Sequence, residues 1–198
     1  MTRPTDIGVA IEAGADAVGL VLVGRSPRRI DMQRASELAV IARGRASIYL
    51  LVEEHAPESV AVAERVGADG IQPYGPQAHA AAVAALDAGL EVLFPIGVGP
   101  EAAVDMSVVP SGAVPLLDTA IRGVSGGSGR TFDWARAKGI DGAVIAGGLT
   151  ADNVAAAVAE ARPFGVDASS GLEADVGIKD PSKVTAFVAA ARAAAEGL

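Results

Sequence analysis

Cysteine is missing from the 198 residues, so within this chain disulfides, thiolate metal ligands and thiol nucleophiles are excluded. Histidine is nearly missing too. A histidine metal site or a Ser-His-Asp triad would have to use His55 or His79, and both read as exposed helix or loop positions. Aromatic residues make up only 4%, which leaves Ala, Val, Ile and Leu to build the core, as suits helices packed over parallel strands. No apolar run reaches the roughly 18 residues that would span a bilayer. The opening Met1-Thr2-Arg3-Pro4-Thr5-Asp6 lacks the basic-then-apolar layout of a secretory signal. A cytoplasmic protein without a membrane partner is expected. Positive charge is also in short supply: the net charge is −8 and no basic face is visible, which argues against nucleic acid. An anionic small molecule would have to be held by local donors against that field.

What is present is a repeat of short apolar runs and Ala-rich amphipathic stretches. Strands are expected at 17–23, 47–52, 70–72, 91–96, 113–117, 143–146 and 164–168. The clearest helices are expected at 32–42, 57–66, 76–88, 153–161 and 181–196, with weaker ones from near Pro100 and Asp133. A first helix reads as capped by Thr2, with Pro4 in its first turn, an apolar stripe of Ile7, Ala10 and Ile11, and Gly14 as its stop. Strands recur roughly every 25 residues, the rhythm of a βα unit. The count is seven strands and eight helices, in one domain over residues 1–198. The chain begins on a helix where an eight-fold (β/α)8 TIM barrel has its first β-strand. A doubly wound open sheet also tolerates seven strands.

In a barrel, chemistry gathers where strands end. After the first strand come Arg25, Arg28 and Arg29, which could clamp a carboxylate or phosphate, although these residues alone slightly favour a solvated basic loop. The fifth strand ends in Asp118-Thr119, and an acid at the mouth of an apolar strand is poised to be a general acid. Gly126-Gly127-Ser128-Gly129 reads as a glycine-rich loop, a weak signal taken alone, which Phe132-Asp133-Trp134 would anchor. The last two strands lead into Gly147-Gly148-Leu149-Thr150 and Ser169-Ser170-Gly171, small and hydroxyl residues that expose backbone N–H groups as barrels do to hold a phosphate.

As a set, these blocks resemble the phosphoribosylanthranilate isomerase family over essentially the whole chain. The set is Gly14 to Gly19, Ser26-Pro27-Arg28, Leu116-Leu117-Asp118-Thr119, Gly126 to Gly129, Phe132-Asp133-Trp134, Ala146-Gly147-Gly148-Leu149 with Asn153-Val154, Asp167 to Glu173, and Gly177 with Lys179-Asp180. The resemblance implies a TIM barrel and a cofactor-free, metal-free Amadori rearrangement in tryptophan biosynthesis. The reaction takes N-(5-phosphoribosyl)anthranilate to 1-(2-carboxyphenylamino)-1-deoxyribulose 5-phosphate. It implies Asp118 as general acid and Arg28 facing the anthranilate carboxylate. It also implies that Gly127, Gly148, Ser169, Ser170 and Gly171 line the substrate and its phosphate.

Two departures accompany it. The family opens on a strand reading Lys-Ile-Cys-Gly whose Cys is the general base, and this sequence has no counterpart to that strand. The expectation is a start site upstream of Met1, which an in-frame stop just before it would remove. The family's Val-Gln-Leu-His-Gly reads Ile71-Gln72-Pro73-Tyr74-Gly75 here, so Tyr74 stands where a histidine is usual. Glu53 and Glu54 at the neighbouring strand mouth read as solvated acids. The alternative function is a catalytically impaired phosphate-sugar binding or interaction protein of the same fold. An open barrel has two unpaired edges, so monomer and homodimer are both expected.

Overall fold

The computed structural model describes residues 1–53, 55–99, 104–119 and 131–197. Its framework is a parallel sheet of seven strands in sequential order. The strands are β1 (Ala17–Val21), β2 (Ser47–Val52), β3 (Gly70–Pro73), β4 (Glu91–Val98), β5 (Val114–Thr119), β6 (Val144–Ile145) and β7 (Gly165–Val166). The helices between and around them are α1 (Pro4–Glu12), α2 (Met32–Ala42), α3 (Ala56–Val66), α4 (Ala78–Asp87), α5 (Val154–Ala161) and α6 (Pro181–Glu196). This is the expected barrel-type α/β order. Among the described residues β1 and β7 do not pair, so the ring stays open between them. Met1 lies against that opening, where its amino group donates to the Gly19 carbonyl (2.6 Å).

Strand alternation separates two cores. Val18, Leu20, Ile48, Leu50, Val52, Ile71, Phe94, Ile96, Leu117 and Ile145 pack against Ala35, Leu38, Ala63, Ala81, Val154 and Phe187 of the helices. Each fully buried Leu or Ile there contributes roughly 1.5–3 kcal/mol. The opposite face of the sheet carries a small second cluster of Leu116, Val144 and Ala146, with Leu93 and Val114 against it. That face is the inside of the curl, and it sets the direction of whatever follows in the same alternation.

Two helix expectations are corrected. Thr2 does not cap α1: Arg3 takes the N-cap position with extended backbone, and the Thr2 hydroxyl donates instead to the Gly177 carbonyl. Arg3 is fastened to Asp6 (2.6 Å) and to the Lys179 carbonyl (3.1 Å), which fixes the helix start one residue later. The stretch from Asp133 forms only a short 3-10 helix (Trp134–Ala137), because Gly139 turns the chain with φ 82 before a second turn can form. Residues 100–103 lie outside the described residues. Beyond them, Asp105 caps a 3-10 turn at Met106–Val108. A feature not foreseen is the antiparallel hairpin of β8 (Glu173–Asp175) and β9 (Ile178–Lys179) beside the opening.

Candidate active site

Asp118 follows Leu116 by two residues on β5. Leu116 belongs to the inner cluster, so Asp118 points into the curl at the C-terminal end of the sheet. Burial raises its pKa; the Thr119 amide, donating to Oδ1 at 2.7 Å, works the other way, and the charge of Asp167 adds to the rise. The same alternation turns Asp167 inward. Gly165 pairs with the inner residue Val144, and Asp167 lies two residues on. Its side chain is open to the recess at the mouth, yet the protein around it raises its pKa, against the pull of Lys179 and the Met1 amine. Gln72 is buried, with its amide 2.5 Å from the Tyr74 hydroxyl. Burial, then the charges of Asp118 and Asp167, push the Tyr74 hydroxyl up, so this phenol stays protonated beside both carboxylates.

Arg28, in the loop after β1, makes a two-pronged contact with Glu173: Nε to Oε1 at 2.7 Å and Nη2 to Oε2 at 2.8 Å. Glu173 also faces Lys179, whose Nζ lies 3.5 Å from Oε1 and donates to the Ser169 carbonyl at 2.7 Å. Burial opposes the Glu173 charge, but the Arg28 hydrogen bonds and the positive charges of Lys179 and Arg28 outweigh it and hold the carboxyl below its ordinary value. Burial likewise pulls Lys179 down, against the support of Glu173 and Asp167. The recess at the mouth is lined by Arg28, Gln72, Asp167, Ser169, Glu173 and Lys179 together with Met1.

The two closing loops meet there. Gly147 has φ 86, and a methyl group on it would stand 2.6 Å from Asp118 Oδ1, so only glycine lets this backbone press against the acid. Asn153 folds the loop by accepting from Thr150 N (2.8 Å) and donating to the Gly148 carbonyl (3.0 Å). A methyl group on Gly171 would collide with the Leu149 carbonyl and stand 3.0 Å from Thr150 Cγ2, so the β7 loop lies directly on the β6 loop. Among the described residues, the amides of Gly148, Ser169, Ser170 and Gly171 have no acceptor. Adjacent open N–H groups of this kind suit an oxyanion.

Of the site residues expected from sequence, Asp118, Arg28, Gly148, Ser169, Ser170 and Gly171 therefore gather at one end of the sheet. Gly127 lies outside the described residues. Glu53 is exposed, Glu54 lies outside the described residues, and His55 and His79 are exposed as expected. Phe132 is buried, while the loop it was expected to anchor lies outside the described residues. Sequence reasoning assigned no role to Asp167, Glu173 or Lys179. All three sit in the quoted blocks, but Arg28, which ties Glu173 and with it Lys179 into the site, lies 145 residues away along the chain. Among the described residues no cluster of His, Cys, Asp and Glu is placed to hold a metal ion.

This geometry has counterparts among known proteins. The profile of the family described as N-(5'phosphoribosyl)anthranilate (PRA) isomerase matches residues 1–190. An N-(5'-phosphoribosyl)anthranilate isomerase of Pseudomonas fluorescens is 37% identical, over 100% of this chain and 95% of its own length. The crystal structure of phosphoribosyl anthranilate isomerase from Thermotoga maritima superposes with a TM-score of 0.83 at 28% identity, covering 98% of this chain and 96% of that one. A further crystal structure is of a phosphoribosyl anthranilate isomerase in complex with reduced 1-(o-carboxyphenylamino)-1-deoxyribulose 5-phosphate. It superposes with a TM-score of 0.78 at 26% identity, over 98% of this chain and 95% of its own. The chain belongs to the N-(5'-phosphoribosyl)anthranilate isomerase family.

Proposed function

We propose that the mouth of this barrel carries the isomerase reaction of tryptophan biosynthesis with Asp118 as general acid, Arg28 on the anthranilate carboxylate, and the β6 and β7 loops on the phosphate. The observation that carries this reading is the inward-facing Asp118, pressed by Gly147 and lying beside a patch of unsatisfied amides. The substrate N-(5-phosphoribosyl)anthranilate is anionic at both ends. The phosphate is bound by the N–H groups of Gly148, Ser169, Ser170 and Gly171, and the carboxylate by a guanidinium. Ribose then spans the mouth, where Asp118 protonates the furanose ring oxygen. The ring opens to the Schiff base, a general base takes the C2 proton, and the resulting enolamine tautomerises to the 1-amino-1-deoxyketose. In the family that base is the Cys of the opening strand, which has no counterpart among these 198 residues. A raised pKa keeps more of the Asp118 carboxyl in its proton-donating form near neutrality than an ordinary carboxyl would allow. Glycines that let the backbone approach leave room for the substrate, and no cofactor enters these steps.

We further propose a cytoplasmic protein, monomeric or homodimeric, that acts on this small phosphorylated molecule and not on nucleic acid. A net charge of −8 supports the last point, because a phosphate backbone would be repelled. The test is a crystal soaked with reduced 1-(o-carboxyphenylamino)-1-deoxyribulose 5-phosphate. The expected density puts phosphate on Gly148 and Ser169 to Gly171, the carboxylate on Arg28 and a ribulose oxygen within hydrogen-bond reach of Asp118. A reversed ligand, or one bound at the other end of the strands, would discard these assignments.

A further inference from the structure

The contact between Arg28 and Glu173 spans 145 residues of sequence and joins the loop after β1 to the hairpin after β7. It is well shielded, with the two side chains 17% and 7% exposed. A guanidinium has two edges that can each grip a carboxylate in a two-pronged fashion. Glu173 takes the edge made by Nε and Nη2. The other edge, made by Nη1 and Nη2, has no acceptor among the described residues. Glu173 is itself held from several sides. Lys179 Nζ lies 3.5 Å from Oε1, Lys183 Nζ donates to its carbonyl at 2.8 Å, and its backbone pairs with Lys179 across the hairpin. Lys179 in turn donates to the Ser169 carbonyl at 2.7 Å. Lys179 is anchored through its own backbone, its amide donating to Asp6 at 3.3 Å and its carbonyl accepting from Arg3 at 3.1 Å. A rigid ionic strut therefore runs from Arg28 through Glu173 and Lys179 to the phosphate loop.

We infer that Glu173 is a positioning residue: by gripping one edge of Arg28 it aims the opposite edge at the substrate carboxylate, and through Lys179 it fixes that edge at a set distance from the phosphate loop at Ser169. The inference rests on the proposed reading of the site and adds to it a determinant of selectivity for the carboxylated aromatic ring. Long side chains such as arginine lose rotamer entropy when fixed. A partner that fixes Arg28 in advance removes much of that loss from the binding step. Glu173 touches no reacting atom in this scheme. Its replacement is expected to act on recognition of the carboxylate and to leave phosphate recognition in place.

The test compares two probes by calorimetry: reduced 1-(o-carboxyphenylamino)-1-deoxyribulose 5-phosphate and its counterpart lacking the ring carboxylate. The readout is the ratio of their affinities. The parent protein is expected to favour the carboxylated probe by at least about tenfold, the scale of one charge-assisted pair. Arg28→Ala is expected to abolish that preference; if the parent shows no preference, it is the Arg28 assignment that fails, independently of Glu173. Glu173→Gln is expected to cut the ratio by roughly tenfold while the carboxylate-free probe binds within about twofold of the parent value, with kcat changed far less than KM. Because Glu173→Gln strands the buried Lys179 charge, the pair Glu173→Gln with Lys179→Met serves if the single variant fails to fold, and it is read on the same ratio. A ratio at the parent value in a folded variant would overturn the inference, as would equal weakening of both probes by Glu173→Gln.

Discussion

At the N-terminal ends of the strands, the segments entering β2, β3, β4 and β7 are fastened to their neighbours by backbone hydrogen bonds. Ser47 N donates to Asp16 O, Asp69 N to Ile48 O, Glu91 N to Asp69 O and Phe164 N to Ala143 O, all within 2.8–3.0 Å. The charged pair at that end, Arg192 with Asp16 at 2.6 Å, is largely exposed. A groove of about 500 Å³ opens there as well, lined by Gly14, Asp16, Arg45 and Asp69, but it is shallow and wide. At the C-terminal ends the amides of Gly148 and Ser169 to Gly171 are left open, and Asp118 and Asp167 hold raised pKa values. The C-terminal ends carry such bonds too, Leu22 N to Leu51 O, Tyr74 N to Val52 O and Asp167 N to Ile145 O among them, but beside them lies a patch of amides without acceptors. A larger groove is therefore a poorer guide to function than a smaller recess where unsatisfied donors and shifted acids converge.

The sharpest way to break this contrast is Asp118→Asn, which is expected to lower kcat at least about 10²-fold in a fluorescence turnover assay. A loss below about fivefold would mean that the acid lies elsewhere. The same variant carries a stability signature. Burial raises the folded-state pKa of Asp118 above its unfolded value, so the folded chain holds the proton more tightly. That contribution is present below the ordinary carboxylate range and is lost as pH rises through the raised value. At pH 7 the charged carboxyl is a net penalty. Asp118→Asn is thus expected to melt above the parent at about pH 7, with the gap closing near about pH 3. A lower melting temperature at neutral pH would contradict the assigned burial.

Next in size is a change at the opposite end. A methyl group on Gly70 would stand 2.5 Å from the Glu91 carbonyl and 2.7 Å from Tyr49 Cε1. Gly70→Ala is expected to cost about 2 kcal/mol in denaturant unfolding while the folded fraction keeps its parent kcat. Lost turnover per folded molecule would blur the division between the two ends. Arg28→Ala is expected to raise KM by roughly tenfold with a smaller change in kcat, as uniform substrate binding requires. Smallest of all, Arg192→Ala removes an exposed pair and is expected to shift stability by under about 0.5 kcal/mol and leave KM untouched.

Much of this frame is legible from the sequence. The runs at 47–52, 32–42 and 181–196 give β2, α2 and α6 at their observed bounds. The two helices start on Asp31 and Asp180, side chains that accept from the first-turn amides. The positions of Asp118, Gly148 and Ser169 follow from strand ends alone. The roles of Glu173 and Lys179 do not, because Arg28 meets Glu173 only when the loops after β1 and β7 come together. Thr2 misled for a related reason. Its local pattern is that of a cap, but a carbonyl 175 residues away takes its hydroxyl.

The bond from Lys179 N to Asp6 Oδ2 ties together residues 173 positions apart. On the ribosome, α1 emerges close to α2, against which it packs, but long before α6 and β9, which hold its other side. Buried Asp6 has its Arg3 partner at once, but its bond from the Lys179 amide forms only after the 173 residues that follow it are made. This corner of the fold therefore closes by a long-range contact, a step that growth of the chain from its N-terminal side cannot complete until β9 has been made.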